Sequence, residues 1–270
     1  MCELFAMSSS VPATVTFSLE EFAQHGGLTG PYKDGWGIAF AEDGDVRVVR
    51  DTTAASSSPW LQFLENHPIR SRAVISHIRK RTTGTLALKN TQPFIRELGG
   101  RMHTFAHNGH VPDVTKGKWF PLGPLRPVGE TDSEYAFCAL LARLEADWLE
   151  EDRPPSLEAR FETVSGFARD LRPLGPANFL YWDGDVMIAH GDRRHQTSGV
   201  IEPPGLHVLI RECPPSGAEF EAEGLTVDAA HQRVVLIASV PLTDESWRSF
   251  GSGEIVMAAD GQLIASTGPK

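Results

Sequence analysis

The apolar residues of this chain fall into short runs, and several neighbouring runs are joined by an Asp-Gly pair. Asp43-Gly44, Asp183-Gly184 and Asp260-Gly261 each stand between two such runs. Asp-Gly favours the tight turn of a β-hairpin, because this turn requires positive φ angles. The pattern therefore predicts many antiparallel strands. The predicted strands cover residues 36–41, 46–49, 73–78, 102–106, 178–182, 186–189, 206–210, 234–238, 254–258 and 262–265.

Fewer segments show helical spacing. Ser18 and Glu21 form a capping-box pattern, and residues 59–66 begin with a proline that suits a first helical turn. Asp132 is predicted to cap a long helix, and Ser156 is predicted to cap another. The apolar residues expected on the faces of these two helices are Phe137, Leu140, Leu141, Leu144, Trp148, Leu157, Phe161, Val164, Ala168 and Leu171. Hairpins with a few helices predict an α+β fold.

The turn-rich segment 109–129 contains four prolines, at positions 112, 121, 124 and 127. We interpret it as an ordered loop and not as a domain linker, because motifs on its two sides belong together. We therefore predict one domain over residues 2–270, with Met1 removed.

Composition narrows the function classes. The net charge of −10 disfavours a nucleic-acid partner. No apolar run reaches the roughly 18 residues of a membrane helix, and the start MCELFAMSSS lacks the basic segment of a signal peptide. The three cysteines include no Cys-x-x-Cys pair, which argues against a disulfide framework or a structural zinc site. We expect a cytoplasmic protein that acts on a small molecule and binds neither nucleic acid nor membrane.

Cys2 follows the initiator methionine and becomes the N-terminal residue once Met1 is removed. One residue then holds a thiol, with a pKa of about 8.5 in model peptides, and an α-amine with a pKa of about 7.7–8.0. The amine can accept the thiol proton near neutral pH, directly or through one water, so that no separate histidine is needed. Taken alone, a cysteine at this position is more readily explained as an accident of the terminus.

Three further segments supply suitable partners for such a thiol. Arg79 ends a predicted strand and has the side chain for recognising a carboxylate, although it also fits a basic surface cluster. Asn108-Gly109 offers a side-chain amide and an unhindered backbone N–H, which suit an oxyanion hole, although Asn-Gly is also a common turn. The acids of the segment Gly129-Glu-Thr-Asp132-Ser-Glu134 either cap the helix and occupy its first turn, or one of their carboxylates binds a ligand ammonium group; both hold if the acids divide these roles.

The segments that contain these residues occur in a characteristic order with several others. These segments are Met1-Cys-Glu-Leu4, Asp34-Gly-Trp-Gly-Ile-Ala-Phe40, His77-Ile-Arg79, Asn90-Thr-Gln-Pro-Phe94, His107-Asn-Gly109, Gly129-Glu-Thr-Asp-Ser-Glu134 and Leu236-Ile-Ala-Ser-Val-Pro-Leu242. Together they resemble a class II glutamine amidotransferase of the N-terminal nucleophile hydrolases, and in particular the stand-alone single-domain bacterial type. The resemblance spans nearly the whole chain.

The resemblance implies a four-layer αββα sandwich and a set of residue roles. Cys2 would be the nucleophile, with its own α-amine as the base. Asn108 and the Gly109 N–H would hold the oxyanion. Arg79 would bind the α-carboxylate of the substrate and Asp132 its α-ammonium group. Thr82 would add a contact to the carboxylate.

Two departures from the family pattern concern the pocket. Gln92 stands where many relatives have histidine, and Lys80-Arg-Thr-Thr83 stands where members linked to a synthase usually have Trp-Ala-Thr-His. Both put the fine shape of the pocket in question, but not the nucleophile.

Other chemistries have weaker support in the sequence. His103, His107 and His110 lie on a predicted strand and the turn after it, so they form no helical zinc face. The chain has neither a phosphate-binding loop nor a dinucleotide glycine motif, and we expect no metal and no cofactor.

We therefore expect an enzyme that attacks the side-chain amide of glutamine through Cys2, releasing ammonia and then glutamate. Two alternatives remain open at this point. One is hydrolysis of a γ-glutamyl conjugate of a larger amine, and the other is a non-catalytic binding protein that kept the fold. A separate ammonia-accepting enzyme is a possible partner, because the chain contains no attached synthase domain.

Overall fold

The computed structural model describes residues 2–15, 33–116, 119–150, 153–196, 198–213, 220–222, 225–227 and 232–268. The predicted capping box at Ser18 and Glu21 lies outside these residues. The α-helices of the described residues are α1 (Pro59–Asn66), α2 (Asp132–Leu149) and α3 (Leu157–Leu171). Short 3-10 turns cover Ala55–Ser57, Leu88–Asn90, Pro112–Thr115 and Arg172–Leu174.

The strands of the described residues are more numerous than the helices. They are β1 (Glu3–Thr14), β2 (Trp36–Glu42), β3 (Asp45–Asp51), β4 (Arg70–Ile78), β5 (Phe94–Leu98), β6 (Arg101–Gly109), β7 (Ala177–Trp182), β8 (Met187–Gly191), β9 (Arg194–His195), β10 (Ile201–Glu202), β11 (His207–Cys213), β12 (Phe220–Ala222), β13 (Leu225–Val227), β14 (Gln232–Ala238), β15 (Arg248–Ser249), β16 (Glu254–Ala259) and β17 (Gln262–Ser266).

Most strands belong to two large antiparallel sheets. The seven-stranded sheet has the order β15-β11-β14-β1-β4-β2-β3, and the six-stranded sheet has the order β17-β16-β8-β7-β6-β5. Two short pairs, β9 with β10 and β12 with β13, stand apart from them. The predicted α+β fold rich in antiparallel hairpins is confirmed.

Three apolar cores hold the layers together. Leu4 and Ile75 of the seven-stranded sheet share a core with Ala106 and Leu180 of the six-stranded sheet, so the two sheets face each other. The other face of the six-stranded sheet packs against α2 and α3, through residues such as Phe105, Phe137, Phe167 and Phe179. The other face of the seven-stranded sheet packs against α1, through residues such as Phe5, Trp36 and Leu61. The layers therefore follow the order helix, sheet, sheet, helix.

Every predicted strand overlaps an observed one, and two of the predicted Asp-Gly turns have the expected geometry. Asp43 and Gly44 have φ angles of 51° and 82°, and Asp260 and Gly261 have φ angles of 46° and 70°. Consecutive positive φ angles are those of a type I′ hairpin turn. The turns thus connect β2 to β3 and β16 to β17 without splaying the strands.

Strand β1 was not among the predicted strands, although it lies in the middle of its sheet. It pairs with β14 on one side and with β4 on the other. Consecutive serines and Pro12 interrupt its apolar pattern, and its register against β4 shifts between Ser8 and Ala13. Such an irregularity is one of the few places where a sheet tolerates proline. Strand β5 was also missed.

The predicted cap of α2 was wrong by one residue. Thr131, which has extended backbone angles, is the N-cap, and its side chain accepts a hydrogen bond from the Glu134 N–H at 3.2 Å. Asp132 lies in the first turn, which frees its carboxylate for other partners. The predicted cap of α3 is confirmed, because Ser156 Oγ accepts from the Ala159 N–H at 3.2 Å.

The apolar face predicted for α2 is buried, whereas that of α3 needs one correction. Leu157 is 44% exposed, while Phe167, which was not predicted, is fully buried. The turn-rich segment after β6 packs onto the helix-side core through Val111, Val114 and Phe120. This packing agrees with an ordered loop, and the single-domain division stays a prediction.

Candidate active site

Cys2 directly precedes β1, which lies in the middle of the seven-stranded sheet. The register pairs Glu3 with Ile78, the last residue of β4. Cys2 therefore stands beside the segment that follows β4. Its Sγ accepts a hydrogen bond from the Lys80 N–H at 3.3 Å and lies 3.4 Å from the Lys80 carbonyl oxygen. Both contacts are to the backbone of the segment that follows β4, which therefore fixes the position of the thiol.

The surroundings of Cys2 favour a neutral thiol in the resting protein. Burial raises the pKa of Cys2 and outweighs the opposing effect of the hydrogen bond from the Lys80 backbone. Among nearby charges, Arg79 lowers this pKa and Asp132 raises it. Attack by this sulfur therefore requires a base that removes its proton.

Arg79 follows the last residue of β4 and is 3% exposed. Its backbone N–H donates to the Gly35 carbonyl at 2.8 Å, which holds it against the entry to β2. The guanidinium donates to the carbonyls of Thr83 at 3.0 Å and Thr85 at 3.2 Å.

No carboxylate forms an ion pair with Arg79 among the residues that the structure describes. A buried cation is stable only with a compensating partner, and two carbonyls leave three of the five N–H donors of a guanidinium. Burial lowers the pKa of Arg79, but an arginine stays charged in a protein. The side chain is thus suited to receive an anion.

Asn108 lies near the end of β6, opposite Asn178 of β7. The Asn178 side chain donates to the Asn108 backbone carbonyl at 2.9 Å and fixes this end of the strand. The Asn108 side chain is buried, and its Nδ2 donates to Ser239 Oγ at 3.3 Å. Ser239 Oγ also accepts from the Leu4 N–H at 3.0 Å. One serine therefore connects Asn108 to the start of the strand that follows Cys2.

Gly109 is required by a close approach of the backbone. A Cβ atom at this position would lie 2.0 Å from the Pro176 carbonyl oxygen and 2.5 Å from His107 Nε2. The His110 N–H donates to Pro176, so the alternation of an antiparallel ladder directs the Gly109 N–H away from β7. Pairing between β5 and β6 ends at Phe94 with Phe105, before that N–H is reached. A donor at this end of β6 is therefore left for a ligand.

Asp132 joins the start of α2 to the segment that follows Gly109. Its Oδ2 accepts from the Val111 N–H at 2.7 Å, and its Oδ1 accepts from the Ser133 N–H at 3.0 Å. The ring of His110 lies 3.6 Å away. Each carboxylate oxygen can accept a second hydrogen bond. This buried carboxylate is therefore positioned by backbone and retains capacity for a cation.

These contacts bring four of the predicted site residues to one end of the two sheets. The contact with Lys80 connects Cys2 to the residue after Arg79, and Ser239 connects Asn108 to Leu4. Asp132 lies close enough to affect the pKa of the thiol. A thiol, a buried cation, a buried carboxylate and an amide thus surround one place in the fold.

Comparison with known proteins identifies the family. The sequence model of the family described as class-II glutamine amidotransferases matches residues 1–270. A protein of Escherichia coli strain K12, provisionally named glutamine amidotransferase YafJ, is 38% identical over 260 residues, which cover 94% of this chain and 96% of that protein. The chain belongs to the class II glutamine amidotransferases.

Solved structures agree with this family. A crystal structure of a predicted glutamine amidotransferase from Pseudomonas aeruginosa PA01 is 38% identical, with a TM-score of 0.73 over 98% of this chain and all of that one. The glutamine phosphoribosylpyrophosphate amidotransferase of B. subtilis is 16% identical, with a TM-score of 0.61 over 99% of this chain and 49% of that one. The second likeness, at this low identity, shows a shared fold alone.

In this amidotransferase, two loops beside the site are tied together by residues to which the sequence assigned no role. Asn90 is fully buried, and its amide donates to Glu130 Oε2 at 2.6 Å and to the Thr85 carbonyl at 3.0 Å. Its Oδ1 accepts from the Glu130 N–H at 2.9 Å. A hydrogen bond from Lys89 is the main cause that lowers the pKa of Glu130 to about 2. The loop that Arg79 contacts is thereby fixed to the loop that precedes α2.

Gln92 and Thr82 belong to the two segments that depart from the family pattern, and their surroundings differ. The Gln92 side chain is buried and bonds both backbone groups of His107, accepting from its N–H at 2.6 Å and donating to its carbonyl at 3.1 Å. Gln92, which precedes β5, thus bonds the backbone of β6 beyond the last residue pair between these two strands. Thr82 is exposed, and no contact of its side chain appears among the described residues. Its role in binding a carboxylate stays a prediction.

Two of the histidines considered as metal ligands, His103 and His107, have separate partners. His103 Nδ1 lies 2.6 Å from Tyr181 Oη, and His107 Nδ1 lies 2.9 Å from Ser133 Oγ. Within the described ranges, no three His, Cys, Asp or Glu side chains are placed to hold a metal ion. In the same part of the chain, no helix has the length and apolarity needed to cross a membrane.

Proposed function

We propose that this amidotransferase hydrolyses the side-chain amide of glutamine through a γ-glutamyl thioester on Cys2. The Cys2 sulfur forms a bond to the amide carbon, and its proton passes to the α-amine of the same residue. Collapse of the oxyanion breaks the C–N bond, and that proton leaves with ammonia. Water then attacks the thioester, releases glutamate and restores the thiol. Nothing is oxidised or reduced in either step.

The raised pKa of the Cys2 thiol supports the need for an adjacent base. A free α-amine with a pKa of about 7.7–8.0 can take this proton near neutral pH. It is available only after removal of Met1, which blocks it in the full-length sequence. Processing of the first residue is therefore part of the proposed mechanism.

The single observation that carries the proposal is the buried Arg79 guanidinium, which has no carboxylate partner among the described residues and precedes the residue that holds Cys2 Sγ. An α-amino acid has a carboxylate for this cation and an ammonium group for Asp132. Because the site contains both a guanidinium and a carboxylate, it should bind zwitterionic amides more tightly than uncharged ones. Glutamine is a zwitterion of this kind with a side-chain amide.

Asn108 and the Gly109 N–H are proposed to stabilise the oxyanion. Both donors belong to the end of one strand, whose geometry is fixed by β7, so they need little reorganisation during the reaction. Removal of one oxyanion donor usually lowers kcat by about 10²–10³-fold. We expect an effect of this size for Asn108→Ala.

The test is a screen of the purified protein against glutamine, γ-glutamyl amides of larger amines, and asparagine, with release of the amino-acid product as the readout. The proposal expects turnover of glutamine and none of asparagine, whose amide lies one carbon closer to the charges. Turnover of the larger amides alone would assign the activity to γ-glutamyl conjugates. Failure to turn over any γ-glutamyl compound would leave a binding protein.

The nucleophile is tested with Cys2→Ala and Cys2→Ser, and Cys138→Ala is the matched control. Cys138 is fully buried on α2, and burial raises its pKa to about 11, so it is a poor nucleophile. Cys2→Ala is expected to abolish turnover, and Cys2→Ser to reduce it severely. Normal turnover in a folded Cys2→Ala protein would rule out the mechanism.

A further inference from the structure

The contact between Asn108 and Ser239 joins two hydrogen-bonding groups whose capacity is not fully used. Ser239 follows the last residue of β14 and is fully buried. Its backbone N–H donates to the Leu4 carbonyl at 3.0 Å, and its Oγ accepts from the Leu4 N–H at 3.0 Å. The same Oγ accepts from Asn108 Nδ2 at 3.3 Å. The serine is therefore held rigidly by Leu4 while it contacts Asn108.

This arrangement leaves two groups without a partner among the described residues. Asn108 Oδ1 is buried and accepts no hydrogen bond. Ser239 Oγ accepts twice, and no acceptor for its own hydroxyl hydrogen is present in the same part of the chain. Buried polar groups without partners destabilise a protein. A half-turn of the Asn108 carboxamide gives both groups a partner, because Oδ1 then faces Ser239 and accepts its hydroxyl hydrogen. The same turn places Nδ2 where Oδ1 was and leaves its N–H bonds without a protein acceptor among the described residues, so they are free to meet a ligand.

The orientation of this carboxamide determines whether Asn108 helps or opposes catalysis. One end of the group donates hydrogen bonds and the other end only accepts them. With Oδ1 turned toward an oxyanion, two negative oxygens would face each other. With Nδ2 turned toward it, both of its N–H bonds are available. Asn178 does not fix the orientation of the Asn108 carboxamide, since it bonds the Asn108 backbone and not the side chain.

We propose that Ser239 is a positioning residue, which donates its hydroxyl hydrogen to Asn108 Oδ1 and thereby turns Asn108 Nδ2 toward the oxyanion. The inference rests on the proposed function, because it assigns a partner to the proposed oxyanion donor. Ser239 does not contact the substrate in this scheme. Its effect on the reaction passes through Asn108.

A different role for Ser239 predicts a different kinetic pattern. Ser239 also bonds Leu4, two residues after Cys2, so its loss can displace the nucleophile instead. A residue that acts through Asn108 loses its effect once the Asn108 amide is gone. A residue that acts through Cys2 keeps its effect in either background. Double-mutant cycles separate the two cases.

The experiment measures kcat and KM for glutamate release by the wild type, Ser239→Ala, Asn108→Ala and the double variant. We expect Ser239→Ala to lower kcat by about tenfold or more, less than the roughly 10²–10³-fold loss from an oxyanion donor, with little change in KM. The double variant should be no slower than Asn108→Ala. Ser239→Thr keeps the hydroxyl and should retain most of the wild-type kcat. Melting curves set an assay temperature at which all variants are folded.

Two controls separate positioning of Asn108 from damage to the site. Alkylation of Cys2 by iodoacetamide needs no oxyanion hole, so its rate should not change in Ser239→Ala. Ser9→Ala removes another fully buried serine farther along β1, which donates to the Val11 carbonyl, and should leave kcat unchanged. An unchanged kcat in Ser239→Ala, equal losses in Ser239→Thr and Ser239→Ala, or losses that multiply in the double variant would each overturn the proposal.

Failure of the proposed function has its own signature. In that case the wild type releases no glutamate from any γ-glutamyl compound. The same four proteins are then compared by the rate at which a chloromethyl ketone analogue of glutamine labels Cys2, because this attack also places negative charge on a carbonyl oxygen. The positioning role is supported if Ser239→Ala is labelled more slowly than the wild type but does not slow labelling further when it is added to Asn108→Ala. Losses that multiply in the double variant contradict this role.

Discussion

Replacement of Arg79 with alanine removes a buried cation and leaves the nucleophile in place. Its backbone contacts to Gly35 and to Asp34 do not depend on the side chain. The lost side-chain interactions are the two hydrogen bonds to Thr83 and Thr85 and the proposed pair with the substrate carboxylate. The two hydrogen bonds contribute to the stability of the folded protein, whereas the ion pair with the carboxylate contributes to substrate binding.

The size of each effect follows from its surroundings. Thr85 is exposed and Thr83 is half-buried, so water can replace the guanidinium at their carbonyls, and we expect a loss of only about 1–2 kcal/mol in the free energy of unfolding. Truncation of one partner of a buried, hydrogen-bonded charge pair costs about 2–5 kcal/mol of binding. This corresponds to a rise in KM of about 30-fold to a few thousandfold. The fall in kcat should be smaller, because the α-carboxylate does not change charge during attack on the distant amide.

A substrate that lacks the carboxylate separates binding from general damage to the site. The kcat/KM values of the wild type and Arg79→Ala are measured with glutamine and with 4-aminobutanamide, which is glutamine without its α-carboxylate. The wild type should strongly prefer glutamine, and Arg79→Ala should lose most of that preference. Arg81→Ala is the matched control, since Arg81 lies in the same loop but is exposed. An equal fall in kcat/KM for both substrates in Arg79→Ala would refute the reasoning.

Three further predictions concern the terminus, the ammonium site and acid stability. Intact-mass analysis of active protein should show a chain that begins at Cys2, and full activity with Met1 quantitatively retained would exclude the α-amine as base. Asp132→Asn removes the charge and one of the two oxygens that accept backbone N–H groups, so KM should rise roughly tenfold and the melting temperature should fall, and a loss confined to kcat would contradict ammonium binding. Burial lowers the pKa of His77 to about 3 and the pKa values of His103 and His190 to about 4. The unfolded chain protonates these histidines near pH 6.5, whereas the folded protein does not. Urea denaturation should therefore show the full free energy of unfolding above about pH 6.5. As the pH falls toward 4, this free energy should decrease by up to about 1.4 kcal/mol per pH unit for each histidine. A flat dependence of the unfolding free energy between pH 7 and 5 would contradict this burial.

Several of the strands that the sequence predicted correctly share a local signal. Short apolar runs on either side of Asp43-Gly44 or Asp260-Gly261 need only a hairpin turn, which two residues specify. Strand β1 has no comparable local signal. Its serines and Pro12 are accommodated by partners that lie far away in the chain, such as the Gly261 N–H that donates to Ser8 Oγ at 3.3 Å. A central strand of this kind is recognisable only when its neighbours are known.

The cap of α2 shows a similar limit at the scale of one residue. Thr131 and Asp132 both have side chains that suit an N-cap. The sequence favoured Asp132, but the Asp132 carboxylate bonds the Val111 N–H across the loop, which leaves the cap to Thr131. The choice depended on a partner that lies 21 residues away in the chain.

The amino-acid sequence by itself determined the fold class, the family and the identity of the candidate nucleophile, because those signals are local motifs that occur in a fixed order. It also singled out Arg79, Asn108, Gly109 and Asp132, since each belongs to one of these motifs. Only the tertiary structure revealed that Arg79 is buried with no carboxylate partner among the described residues, and that Ser239 connects Asn108 to Leu4. Burial and hydrogen-bond partners across the two sheets join residues more than a hundred positions apart, and no local pattern in a single sequence encodes such pairs.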